Sequence, residues 1–304
     1  MKKYLIIFTI CLLACSSDNI KNNQYTTIQN STLENKSTNE EFQTKLLKEI
    51  NYSNLVDKSS QEEIKNALKE AVDEKEISEF LRNVDTFNKT VENKTLLSTF
   101  AKTNILPAYD EDFIAQKWDE KNKDFKNNCR ITTFLLKNFI NVKNPSNKLD
   151  TENLAFDYES IKKIFDEKEK KIFDNFFAQI PSPNTQNTSE LVKVVQDDWK
   201  KKIEFTNPKA KVISVFLQDS IDEKSKKLFI HIVLLPTKDS KFIFIEKLAF
   251  QKPYQALKFD SKRDLSDYLM ATYDVDTTES ARPFVLENYD LIDYSANPNT
   301  IIKN

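Results

Sequence analysis

Residues 211–218 read "KVISVFLQ", residues 227–235 "KLFIHIVLL" and residues 241–250 "KFIFIEKLAF". Each run is rich in β-branched and aromatic residues and is opened by a lysine. The spacing predicts three strands, and the short connectors predict that they pair as an antiparallel meander. Apolar residues fall on both parities of each run, so both faces of the sheet need cover. Helices are the available cover. Ser261 with Asp264 opens one of them, through Leu265, Tyr268 and Leu269. The segment 283–294 is ambiguous and could add a further strand.

Upstream of the strands, from about Phe42 to Phe205, apolar residues recur at helical spacing. Ser60 with Glu63 reads as a capping box ahead of Ile64 and Leu68. Asp73 with Glu76 opens a second helix carrying Ile77, Phe80, Leu81, Val84 and Phe87. Leu96, Leu97 and Phe100 fit a short third helix. Asp110 precedes a long pattern through Ile114, Trp118, Phe125, Cys129, Leu136, Phe139 and Ile140. Asp157 opens another with Ile161, Phe165, Ile172 and Phe176, ended by Pro181. Ser189 opens the last, with Leu191, Val195, Trp199 and Ile203. Helices, then strands, then a helix define an α+β class. The expected organisation is a helical region over 42–150 and an α+β region over 151–304, its small antiparallel β-meander packed against helices. The stretch "NVKNPSNKLDTEN" around Pro145 is the best linker candidate. Whether the two regions make one domain or two stays open at this point.

The chain of 304 residues has no glycine, against roughly 7% in average usage. A Gly-rich phosphate loop, a dinucleotide-binding turn and a G-x-S-x-G nucleophile elbow are all excluded, because each needs glycine for close backbone approach or a strained turn. Turns must be made by Asn, Asp, Ser or Pro. Lysine outnumbers arginine 41 to 4. The 45 basic residues are balanced by 47 acidic ones, so the basic field that nucleic-acid binding requires is missing.

At the other end of the chain, Met1-Lys2-Lys3 precedes an apolar run from Tyr4 to Ala14. Eleven helical residues rise about 16 Å, well short of a bilayer core of ~30 Å. Residues 1–14 therefore read as a secretory signal peptide. Leu12-Leu13-Ala14-Cys15 resembles a bacterial lipobox, with Leu at −3, a small residue at −1 and Cys at +1. The resemblance implies cleavage between Ala14 and Cys15 and acylation of Cys15. Residues 16–41 are polar and aperiodic, so residues 15–41 read as a lipidated cysteine followed by a flexible tether reaching roughly 25–30 Å. A permissive lipobox, a Ser/Asn/Thr/Lys tether and a lysine- and asparagine-rich body together resemble a Borrelia-type outer-envelope lipoprotein. That resemblance implies a non-enzymatic protein held in the outer membrane by its acyl chains, displayed on the cell surface and binding a host macromolecule. The alternative is a periplasm-facing lipoprotein with a structural or assembly role.

Within the body of the chain, candidate chemistry is sparse. His231 is the only histidine, placed mid-strand, so a catalytic triad or a histidine-rich zinc site has no other members. Cys129 would be the only thiol left after processing at Cys15; it lies on the Trp118/Phe125 stripe and is expected to be a buried, small apolar group. "DVDTTE" (274–279) has carboxylates at a spacing that could hold calcium, but lacks the glycine of an EF-hand loop. Asp197/Asp198 and Asp274/Asp276 are the carboxylate pairs an enzyme would have to use. "KKIFDEKEKK" (162–171) and "DDWKKKIEF" (197–205) interleave lysines with acids, as solvated helix faces with i,i+4 pairing do. A polyanion such as a sulfated glycan is the ligand class that lysines of this kind would take as point charges. "RPFVLENYDLIDY" (282–294) reads as a last strand with Phe284 and Leu286 packed inward, or as an aromatic protein-binding patch. No catalytic residue, cofactor or metal is expected, and the ligand-binding residues stay unassigned.

Overall fold

The computed structural model describes residues 44–121, 127–136, 139–146, 148–218, 231–236 (backbone), 241–274 and 281–295. The expected signal peptide (1–14) and all of the lipidated cysteine and tether (15–41), including Ala14 and Cys15, lie outside them.

The three expected strands are present as β5 (Lys211–Phe216), β6 (His231–Pro236) and β7 (Phe242–Lys247), and they pair antiparallel in sequence order. A further strand, β8 (Tyr254–Phe259), extends the meander through a register that runs from Phe242 opposite Phe259 to Lys247 opposite Tyr254. The fold is α+β, as expected. The sheet is larger than the meander: it has eight strands in the order β10-β9-β5-β6-β7-β8-β1-β2. β9 (Phe284–Glu287) and β10 (Asp290–Ile292) form a hairpin against β5, so the ambiguous segment supplies two strands.

At the other edge, β1 (Lys45–Ser53) and β2 (Ala101–Ile105) come from the region expected to be helical. The reading of 42–150 as helical is corrected here. Leu46, Leu47 and Ile50 mimic helical spacing, but an irregularity in the β1–β2 register between Lys45 and Ile50 puts Leu46 and Ile50 in the core and leaves Leu47 exposed. Pairing on both sides overrides the local pattern. The expected third helix around Leu97 is replaced by a turn leading into β2. Residue 54 ties that turn down, with its amide N–H donating to Leu97 O and its carboxamide oxygen accepting from Leu97 N, both at 2.9 Å.

The helices otherwise follow the pattern, with shifted ends. α1 (Lys58–Leu68) is capped by Asp57, whose carboxylate accepts from the Ser60 amide at 3.0 Å, in place of the expected Ser60 cap. α2 spans Glu74–Thr90. The long pattern after Asp110 breaks into α3 (Glu111–Lys121) and α4 (Cys129–Leu135), the latter capped by Asn128. The pattern after Asp157 also breaks, into α5 (Ala155–Ile161) and α6 (Glu167–Phe177), because Asp166 and Glu169 form a reciprocal capping box between them. α7 (Thr188–Lys202) starts at an Asn187 cap, and α8 (Lys262–Tyr273) at the expected Ser261. A two-stranded ribbon of β3 (Ile140–Val142) and β4 (Ile203–Phe205) joins the end of α7 to the segment after α4.

Both faces of the large sheet are covered. Val212, Phe216, Ile243, Ile245, Tyr254, Ala256, Phe284 and Leu286 point to the side packed by α1–α7, in one continuous core that runs from Leu55 to Leu286. Ile213, Val215, Phe244, Leu257, Phe259 and Val285 point to the other side, under α8. The apolar runs on both parities have this cause. The Pro145 segment does not separate two cores, since residues on either side of it share the first.

Without glycine, five of the described residues take left-handed backbone: Leu55, Glu92, Asn93, Thr95 and Asn288, all at φ between 52° and 60°. Asn288 has a clear reason. It turns the β9–β10 hairpin, and its side-chain oxygen accepts from Val212 N at 3.0 Å while its own amide donates to Val212 O at 2.8 Å.

Candidate functional site

Adjacent residues of β7, Glu246 and Lys247, are both buried in the sheet and point to opposite faces. No other feature of the described core places two ionisable groups side by side in a strand, and each has built its own polar surroundings.

On the α8 side, Glu246 Oε1 accepts from the carboxamide of Gln255 and, at 2.7 Å, from the Tyr268 hydroxyl of α8. Gln255 Oε1 in turn accepts from Tyr109 OH at 2.7 Å, and Tyr109 accepts from Asn54 Nδ2 at 2.9 Å. Burial pushes the Glu246 carboxyl up to about 7, against the opposing hydrogen bonds from Gln255 and Tyr268. Burial also drives the Tyr109 and Tyr268 hydroxyls well above the ordinary tyrosine range. Tyr109 lines an open cleft of about 430 Å³ with Thr95, Ala108, Asp110, Glu111 and Asp112. Two of its rim carboxylates are already matched: Asp110 by Lys94 at 3.2 Å and Glu111 by Lys252 at 2.8 Å.

On the helical side, Lys247 Nζ donates to the carbonyls of Ala249 at 2.6 Å, Phe250 at 3.2 Å and Lys252. It sits 4.0 Å from the centre of the Phe87 ring, with Tyr254 at 5.1 Å and Trp118 at 5.8 Å. Burial pushes the amine well below the usual lysine range, and a Cys129 thiolate would act in the opposite direction. The adjoining Tyr254 hydroxyl accepts from Asn127 Nδ2 at 2.9 Å. Three donors against three carbonyls make Lys247 the clamp of the β7–β8 connection. Its N–H groups are turned to the loop and are not offered to a substrate.

A third buried cluster lies between α4 and α5. Arg130 Nε donates to Asp157 Oδ2 at 2.7 Å, and Asn128 donates to the other carboxylate oxygen. With the ion pair buried, Asp157 holds two helices together and no longer opens a helix as its sequence position predicts.

The sequence candidates are dispersed. His231 begins β6 opposite Ser214. Cys129 is the first residue of α4 and is half-buried, because the stripe it was assigned to ends with α3. Asp198 is paired with Lys202 at 2.6 Å along α7. Asp274 caps the end of α8 and is held by Arg282, while Asp276 and Glu279 lie outside the described residues. The helix-face reading of the lysine clusters is borne out in part by Lys162 with Glu159, Lys170 with Asp174 and Lys202 with Asp198. Phe284 and Leu286 pack inward, as the strand reading of 282–294 requires, and Leu291 is left exposed. Among the described residues no group of three or more His, Cys, Asp or Glu side chains could hold a metal ion, and no helix is long and apolar enough to cross a membrane. Sequence reasoning missed Glu246 and Lys247. Their signal was in view, as the only charges inside "FIFIEKLAF".

This arrangement defines the chain as an α+β domain built on an eight-stranded antiparallel sheet, in which the buried Glu246, Lys247, Arg130 and Asp157 are hydrogen-bonded from within. The family model described as a domain of unknown function, DUF4300, matches residues 51–292, well over half of the chain, and the protein belongs to that family. The match begins inside β1 and ends at the last residue of β10, so it coincides with the sheet and its helices. No curated protein and no solved structure matches the chain.

Proposed function

We propose that this protein is a non-enzymatic, lipid-anchored component of a bacterial outer envelope, displayed at the cell surface, whose DUF4300 domain binds a host macromolecule. The observation that carries the reading is Leu12-Leu13-Ala14-Cys15, followed by a polar stretch that ends where the fold begins near Thr44. Two or three acyl chains on Cys15 would hold the protein at a membrane, since each buried CH₂ contributes about 0.8 kcal/mol. The domain's polar core supports a binding role over a catalytic one. Lys247, Glu246, Arg130 and Asp157 are spent on internal hydrogen bonds, and each has a structural task.

Two measurements test this. Labelled palmitate should enter the wild-type protein and not Cys15→Ala; labelling that survives the substitution refutes the anchor. Protease added to intact cells should degrade the protein. Protection in intact cells with digestion after lysis would favour instead a periplasm-facing structural or assembly role.

A further inference from the structure

The connection between β7 and β8 turns its carbonyls inward on one point. Lys252 N donates to Ala249 O at 3.2 Å and Leu248 N to Pro253 O at 3.3 Å, which closes a tight turn. The carbonyls of Ala249, Phe250 and Lys252 all accept from Lys247 Nζ. Three buried rings line the same nitrogen: Phe87 of α2, Trp118 of α3 and Tyr254 of β8, with centres 4.0–5.8 Å away. The turn has supports besides Lys247. On its exposed side Gln251 Nε2 donates to Asp119 Oδ2 at 3.0 Å, and Lys252 Nζ to Glu111 Oε1 at 2.8 Å, both on α3. Among the described residues no carboxylate pairs with Lys247, and Glu246 lies on the other face. The ionisable groups around it are Cys129 of α4 and Tyr254, with His231 of β6 level in register.

We infer that this nest of carbonyls and rings is a receptor for a primary ammonium ion, filled in this protein by its own Lys247 in the charged form. The number and kind of partners select that occupant. An ammonium has three N–H donors and no lone pair, one donor for each carbonyl. A neutral amine has two donors and would turn its lone pair on the third carbonyl. The ring faces attract a cation and give nothing to a neutral group of the same size. A guanidinium is a planar fork and does not match three acceptors around one nitrogen. Calcium takes about six to eight oxygen ligands, and the rings supply none. Burial opposes the charge and pushes the amine down from the usual lysine range. The carbonyls and rings act against that push, because all of them serve the charged form. The consequence reaches beyond a clamp. Cutting the side chain back to Cβ leaves a hole with the shape and polarity of propylammonium, which that ion should refill from solution. In the wild-type protein the tethered occupant keeps free amines out. This inference stands apart from the surface-display reading.

The test uses the full-length chain in detergent micelles, with propylammonium chloride as the probe. In Lys247→Ala, a roughly ten-fold excess over Kd should raise the thermal midpoint by about 3–5 °C relative to the same concentration of sodium chloride. Wild type and Lys247→Met, whose side chains occupy the hole, should not respond. Equal stabilisation of Lys247→Ala by 1-propanol, tetramethylammonium or potassium chloride would overturn the inference, since the first carries no charge and the other two no N–H. An equal shift in wild type would overturn it too. Should Lys247→Ala fail to fold in buffer, propylammonium present during refolding should recover it. A Lys247→Ala chain that the ion neither stabilises nor refolds would sink the receptor. A second measurement does not depend on that variant. Lysine labelled with nitrogen-15 should show, at pH 7, a slowly exchanging Nζ that bears three protons and is missing from Lys247→Met. A two-proton nitrogen in its place, or no protected Nζ, would overturn the charged form.

Discussion

Glu246 and Lys247 are neighbours in one strand, yet the two sides of the sheet treat them oppositely. The α8 side keeps its carboxyl close to neutrality. Both hydrogen bonds fall on Oε1, so a proton on the other oxygen leaves them intact. The helical side surrounds its amine with three carbonyls and three aromatic faces, partners that an ammonium uses fully. The same burial thus raises one pKa and lowers the other, and each group is offset by a different kind of partner. The lesson is that a thin sheet can carry a carboxyl and an amine back to back when each face supplies its own network.

The largest effect is expected at Lys247. Lys247→Ala leaves three carbonyls of the β7–β8 connection without their donor and opens a void beside Phe87, and should cost on the order of 3–5 kcal/mol in urea unfolding. Lys247→Met fills the space and restores no donor. If it unfolds like wild type, the clamp is unimportant and the comparison collapses.

Glu246 comes next. Its folded pKa of about 7 lies above the ordinary glutamate value of 4.5, so the folded state binds the extra proton between those values. The stability it contributes is therefore full below about pH 4.5 and is lost as pH rises through 7. Glu246→Gln should remove that slope and raise stability at pH 8 by about 3 kcal/mol relative to wild type, with little change at pH 4.5. Lys247 contributes the opposite slope, since a depressed folded pKa makes stability rise with pH toward 10.5. Chemical denaturation at several pH values checks both, and a wild-type curve flat between pH 4.5 and 8 that Glu246→Gln leaves unchanged would contradict the assignment.

A matched pair of hydroxyl deletions sharpens the contrast. Tyr268→Phe and Tyr254→Phe should each cost about 1–2 kcal/mol, because each strands a buried partner. Only Tyr268→Phe should move the pH dependence, by taking from Glu246 a bond that favours its charged form. The smallest effect concerns the turn that follows α2. Glu92 holds a left-handed conformation at φ 57°, and Glu92→Gly should stabilise by about 1 kcal/mol after allowing for its exposed pair with Lys117.

Much of this was legible in the residues. The three apolar runs became β5, β6 and β7, their double parity announced cover on both faces, and Ser261 capped α8 as its spacing says. β1 was not legible, because Leu46, Leu47 and Ile50 satisfy a helical spacing and their strand character comes from β2 and β8, about 50 and 200 residues away. β8 was missed because Tyr254-Gln255-Ala256-Leu257-Lys258-Phe259 mixes polar residues into both parities. Gln255 and Lys258 have partners that only the fold brings near: Glu246 and Tyr268 for the first, Glu63 for the second. The candidate site was half visible, as a charged dipeptide inside an apolar strand. Nothing local says that Phe87, Trp118 and Tyr109 come to meet it.

The sequence by itself determined the α+β class, the antiparallel meander, the absence of glycine-dependent phosphate and nucleophile motifs, and the resemblance of the N-terminus to a lipobox. These rest on short-range periodicity and composition, which need no partner to be read. Tertiary structure alone decided that residues 42–150 donate two strands, β1 and β2, to one end of the sheet, and that Glu246 and Lys247 are enclosed on opposite faces. Each of these depends on contacts between distant residues, where the energy of pairing and burial outweighs local propensity.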